Sequence, residues 1–212
     1  DLRKSLNWKP DLIIAHWVSE FIDVVTLYEI SKFWNVPVAW YLMDMGPLTG
    51  GCHYTMGCNK YMENCGNCPQ IEFTNIENDL SRLQWQKRFE TIQKMRVIPI
   101  VGSTWLQERL IASSIFKNKP YKLIPLGIDS NVFSAGDKQK AKVLLRLPTD
   151  KKIIFFGAMN YSEERKGFHL LKKSLEILHR KALENEINAD DIYLVIAGKG
   201  SKDLQGSFFF PS

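Results

Sequence analysis

Residues 151–171 read KKIIFFGAMNYSEERKGFHLL, and the architecture of the chain is written most plainly there. Ile153–Ala158 is a continuous apolar run, the pattern of a strand covered on both faces of a sheet. A polar loop follows, and Arg165-Lys166-Gly167 opens a helix whose apolar residues Phe168, Leu171, Leu175 and Leu178 share one stripe. DIYLVIAGKG (191–200) is a further apolar strand, ending in glycines. Strand, helix, strand in this order is a βαβ unit, and such units build parallel sheets with helices on both faces.

Upstream, the same alternation repeats. DLIIAHWV (11–18) has strand character and DVVTLYEISKFW (23–34) has helical spacing. PVAWYLMD (37–44) is again a strand. From Asp79 to Arg96, Trp85, Phe89, Ile92 and Met95 fall on one helix face. VIPIVGS (97–103) is a strand, and Thr104 with Gln107 forms a capping-box pattern at the start of TWLQERLIASS. YKLIPLGID (121–129) is a strand running into a turn. The pattern restarts after Pro148-Thr149-Asp150. This predicts an α/β chain with one unit over 1–130, a linker and helix over 131–150, and a second unit over 151–212. The FFF near the end would be exposed at a natural terminus, so the chain reads as a piece cut at both ends, with both domains incomplete.

Composition narrows the class. The chain is 45% hydrophobic and 12% aromatic, enough for a sizeable core and against disorder. A net charge of +5 is mild and its cations are scattered, which predicts a solvated surface and no nucleic-acid partner. No window reaches the ~18 apolar residues of a membrane span, and no N-terminal signal pattern is visible.

All four cysteines lie between Met43 and Pro69, in MDMGPLTGGCHYTMGCNKYMENCGNCP, with the spacing C-x5-C-x6-C-x2-C. Four thiolates converging in so short a stretch suit a structural zinc bound by Cys52, Cys58, Cys65 and Cys68. Two disulfides, or free redox thiols, are the rival readings, and His53 could replace one cysteine as ligand. In doubly wound sheets ligands sit at the carboxyl ends of strands. Three places fit that rule: the end of PVAWYLMD with the turn after it, the end of DLIIAHWV, and the loop after KKIIFFGAM. Asp44, at the end of its strand, is an acid/base or hydroxyl-binding carboxylate, or else the cap of the next turn. Thr49, Gly50 and Gly51 would let backbone approach a ligand closely. His16, at the end of the first strand, is a candidate catalytic residue, or else a packed, hydrogen-bonded histidine beside Trp17. Around Gly157 and Arg165-Lys166-Gly167, two cations beside a helix start suit a phosphate or diphosphate, or else form a solvated loop whose glycine simply starts the helix.

Taken in order, DLIIAHW, YLMDMGPLTGGCHY with CGNCP, VGSTWLQERLIASSIF, IPLGIDSNVF, FFGAMNYSEERKGFHLL and VIAGKG resemble a family 4 glycosyltransferase of the GT-B fold, of the colanic-acid or polysaccharide-biosynthesis type. The resemblance runs across nearly the whole chain. It implies two Rossmann-like domains facing each other across a cleft, an acceptor-side domain carrying the Cys-rich loop 49–69 and a donor-side domain after IPLGIDSNVF. It implies retaining transfer of a sugar from a nucleotide-sugar donor to a saccharide or lipid-linked acceptor, without a catalytic metal, in the cytoplasm at the inner face of the membrane and with peripheral membrane association. Lys166 and Arg165 match the cations that neutralise the donor diphosphate, and Asp44 matches the aspartate of the family's His-Asp strand end.

Met43 stands where many members have histidine, and Ala158 where many have arginine. The E-x7-E donor segment falls beyond AGKG, and Glu176 with Glu184 is a solvent-face coincidence. The isolated chain is therefore expected to be inactive. A catalytically inactive paralogue or a zinc-stabilised binding module is the alternative.

Overall fold

The computed structural model describes residues 8–72, 79–204 and 208–211. It divides into two compact units, Asp1–Ile128 and Asp129–Ser212.

In the first unit, β1 (Ile13–Ala15), β2 (Val38–Leu42), β3 (Val97–Val101) and β4 (Lys122–Leu123) form a four-stranded sheet in the order β1-β2-β3-β4. All its pairings are parallel. β2 is its centre, and four of its five residues are buried. Helix α1 (Val24–Trp34) connects β1 to β2, α2 (Leu80–Lys94) lies between β2 and β3, and α3 (Thr104–Ala112) follows β3.

Each of these helices starts where a short polar side chain can accept a backbone N–H left over by the first turn. Asp23 accepts from Thr26 N at 2.8 Å and Asp79 from Arg82 N at 3.0 Å. Ser103, one residue before the expected cap Thr104, accepts from Leu106 N at 3.3 Å. Gln107, the other half of the expected capping box, instead donates its amide to the Tyr121 hydroxyl. At the far end of α1, Asn35 takes the left-handed conformation (φ 52) and closes the helix. The core joins Val38, Leu42 and Val101 of the sheet to Leu27, Ile92, Leu106 and Leu110 of the helices.

Two strands are shorter than their apolar runs. β1 pairs only with β2, and Leu12, Ile14 and Trp17 are exposed. β4 stops at Leu123 because Ile124 makes the last bond to β3, its N–H donating to Val101 O at 2.9 Å. Pro125 has no N–H to continue the ladder.

The second unit contains α4 (Lys138–Leu144), β5 (Lys152–Asn160), α5 (Phe168–Leu183) and β6 (Ile192–Lys199). β5 and β6 pair in parallel, and α5 packs Leu175 against Leu194 with Leu171 and Leu178 beside them, the stripe expected from spacing. The FFF segment is not simply exposed. Phe210 is buried in this core, Phe209 stacks on His179 at 3.9 Å, and Pro211 O accepts from Leu194 N at 2.8 Å. Between β5 and β6 Gly198 is obligatory, since a Cβ there would come within 1.9 Å of Ala158 O.

The fold is thus α/β with parallel sheets, compatible with Rossmann-like units. Among the described residues no helix is long and apolar enough to cross a membrane.

Candidate functional site

β2 ends at Leu42, and the chain then makes a tight excursion that folds back on itself. Met43 points to solvent and Asp44 is buried. Gly46–Leu48 forms a single 3-10 turn. Thr49 then turns the chain round. Its hydroxyl donates to Cys52 O at 2.8 Å and accepts from Gly51 N at 3.1 Å. Met45 N–H donates to His53 O at 3.1 Å, which clamps the returning strand of the loop onto the outgoing one.

The consequence is a side-chain pair that spacing did not reveal. His53 Nδ1 lies 2.7 Å from Asp44 Oδ2. Asp44 Oδ1 accepts the Gly46 N–H, also at 2.7 Å. Both carboxylate oxygens are used: one caps the turn, as one of the two readings of Asp44 expected, and the other faces an imidazole. A carboxylate can only accept, so Nδ1 carries a proton, and in the neutral imidazole Nε2 keeps a lone pair for another partner. Asp44 has 4% of its side chain exposed and His53 40%, so the orienting group is dry and the working group is reachable. Trp17 stacks on the imidazole at 4.8 Å and 14°. Gly46 leaves the room: a Cβ there would meet Asp44 Oδ1 at 3.0 Å and His53 Nδ1 at 3.2 Å.

Asp44 lines a cavity of about 80 Å³ with His16, Trp17, Trp40, Lys87 and Arg88. That volume takes one hydroxyl-bearing group or a few waters and falls short of the ~300–1,000 Å³ that encloses a whole drug-sized ligand. His16 is exposed and stacks on Tyr41 at 5.6 Å. It sits on the rim of the cavity. Lys87 donates to Asp23 at 2.6 Å, which with the Thr26 N–H pulls the Asp23 carboxyl down to about 2. Arg88 donates from below to Gly46 O (3.0 Å) and Thr49 O (2.5 Å), and its burial lowers its pKa.

The Thr49-Gly50-Gly51 turn differs from the ligand-approach reading. Thr49 is fully buried, and Gly50 backs onto α2, where a Cβ would stand 2.1 Å from Ser81 O. Only Gly51 is exposed. The need for glycine at 50 comes from close packing of protein on protein.

The four cysteines are all unpaired, and all line one cavity over the start of α2. Burial pushes the Cys65 thiol up to about 11, against a Gly50 N–H donated to its sulfur at 3.2 Å. Burial also raises Cys52. As the side chains stand, no three His, Cys, Asp or Glu groups among the described residues are placed to hold a metal ion. His53, the alternative ligand, is engaged with Asp44.

In the second unit, Gly157 lies within β5, its open side against the Phe155 ring. The loop after Asn160 ends in the 3-10 turn Glu164–Lys166. Gly167, left-handed at φ 78, closes that turn and starts α5 with no side-chain cap. Arg165 pairs with Glu163 at 2.7 Å. Lys166 is exposed, next to the uncapped helix start, where a dipole and free N–H groups favour an anion.

Compared with known proteins, the chain matches no family model and no curated protein.

Proposed function

We propose that this chain is a glycosyltransferase that moves a sugar from a nucleotide-sugar donor to a hydroxyl of a saccharide or lipid-linked acceptor. In this reading the two units are the acceptor-side and donor-side Rossmann-like domains of a GT-B enzyme. The order of motifs supports it, from the TGGCHY loop through IPLGID to RKG.

The observation that carries it is the Asp44–His53 pair at the carboxyl end of β2. An acceptor hydroxyl is a weak nucleophile that must be held with its lone pair toward the anomeric carbon. Nε2 of an imidazole oriented by a buried carboxylate accepts the hydroxyl proton as a hydrogen bond and sets that direction. His53 therefore supplies the imidazole that the Met43 position lacks. When transfer retains configuration, the departing diphosphate takes the proton, and His53 holds the hydroxyl in place.

On the donor side, charge builds on the diphosphate as the glycosidic bond breaks. A fixed cation at a helix N-terminus is worth most there. Lys166 fits that role. Arg165 joins it by exchanging its Glu163 partner for phosphate. The enzyme works in the cytoplasm at the inner membrane face, where nucleotide sugars meet lipid-linked acceptors, in polysaccharide or cell-envelope glycan synthesis.

The test is acceptor-dependent release of nucleoside diphosphate by the full-length protein, across a panel of UDP- and GDP-sugars. Turnover with at least one donor is expected, and Lys166→Ala should lower kcat/KM by ~10²-fold or more, the scale of one lost charge-stabilising group. A change below about threefold removes Lys166 from the site. Donor binding without turnover identifies an inactive paralogue instead. Nucleic-acid binding with a steep salt dependence identifies a binding module.

A further inference from the structure

The Asp44–His53 pair engages the loop only as far as His53, and the four thiols of Cys52, Cys58, Cys65 and Cys68 are left without a role. Within that segment the one regular element is the 3-10 turn Lys60–Met62. Only Tyr61 and Cys65 are buried. The backbone is nonetheless bent hard in two places. Met56 (φ 49) and Gly57 (φ 87) immediately precede Cys58, while Gly66 (φ 141) and Asn67 (φ 45) lie between Cys65 and Cys68. A left-handed non-glycine residue costs ~1–3 kcal/mol unless its surroundings hold it. Two such residues in a coreless loop require a fastening.

Part of the fastening is visible. Lys60 Nζ donates to Gly66 O (2.9 Å) and Asn67 O (2.6 Å), tying the 3-10 turn to the second bend. Cys68 N–H donates to Asp79 Oδ2 at 2.7 Å, pinning the second bend to the cap of α2. Cys65 Sγ accepts from Gly50 N, the bond a sulfur makes best as a thiolate. All four thiols face one cavity, together with Lys60 and Arg88. Four thiolates on a divalent ion leave a net charge near ~−2, and two cations beside them offset it.

We propose that Cys52, Cys58, Cys65 and Cys68 bind one structural Zn²⁺ as thiolates, releasing their protons to solvent, and that this clasp holds His53 against Asp44. The ion draws together thiols that otherwise stand around a cavity of about 450 Å³. The clasp does not depend on the reaction proposed above, because it is read out by metal content and spectroscopy.

Full-length protein purified with reductant and dialysed against metal-free buffer should retain about one Zn per chain, and a mercurial thiol reagent should release it. Cys65→Ser should reduce the bound metal at least ~10-fold, the scale for losing a ligand or its support. Should that variant fail to fold, the wild-type chain decides. After chelation, titration with Co²⁺ alone should give thiolate-to-metal charge-transfer absorption that saturates near about one equivalent. Background metal content together with no Co²⁺ absorption overturns the proposal, as does a mass deficit showing disulfides.

Discussion

In Asp44→Asn the side chain keeps its shape and loses its charge and one of its two acceptor oxygens. The remaining oxygen goes on accepting the Gly46 N–H, now at 2.7 Å. An NH₂ group then stands where Oδ2 meets His53 Nδ1, also at 2.7 Å. Two donors cannot share that contact, so the imidazole moves its proton to Nε2 and turns a lone pair toward residue 44. Nε2 then donates where it formerly accepted, the wrong polarity for holding a hydroxyl proton.

The stability effect is modest. A charge-assisted bond worth ~1.5–3 kcal/mol gives way to a neutral one worth ~1 kcal/mol. The net loss is ~1 kcal/mol, or ~3–5 °C in Tm for a unit of this size. The functional effect is larger, ~10²-fold in kcat/KM for the full-length enzyme, the scale for a reacting group that is no longer held in place. Two-bond ¹⁵N–¹H correlation of the imidazole reports the tautomer directly and needs no substrate. An unchanged His53 tautomer, or kcat/KM within about threefold of wild type, would refute the reasoning.

Two further outcomes follow from packing and charge. Gly50→Ala should cost ~3 kcal/mol, the upper range for overpacking, because its Cβ would lie 2.1 Å from Ser81 O and 2.7 Å from Ser81 C, backbone atoms that cannot rotate away; a urea midpoint within error of wild type would show that the start of α2 yields. Asp23→Asn keeps the helix cap and removes the charge facing Lys87. The folded Asp23 pKa lies at about 2, below its unfolded value, so its contribution is present above about pH 4 and fades as pH falls toward 2. Because the pair is about half exposed, the variant should lose only ~0.5–1 kcal/mol at neutral pH, with the gap to wild type closing in acid. A gap that stays constant from pH 7 to pH 3 would rule out this linkage.

The amino-acid sequence by itself determined the order of strands and helices, because hydrophobic periodicity is local. PVAWYLMD and KKIIFFGAM are strands by composition alone, and the stripe Phe168–Leu178 predicts the packing of α5. Only the first strand is buried, however: among the described residues β5 pairs with β6 alone, none of its residues is buried and Phe155 stands exposed. The sequence also placed Asp44 at a strand end and gathered the cysteines into one loop. Element ends were less legible. Ser103 rather than Thr104 caps α3, and the strand at 121–129 stops at Leu123, because caps and ladders depend on which donor finds an acceptor in space.

Only the tertiary structure decided what Asp44 does. The Asp44–His53 contact spans nine positions of irregular chain with no period to betray it. It exists because Thr49 reverses the loop, Met45 clamps His53, and Gly46 leaves space for both side chains. A histidine that looked like a spare metal ligand becomes the partner of a buried carboxylate, because hydrogen-bond geometry in a folded loop is set by closure and not by neighbourhood in sequence.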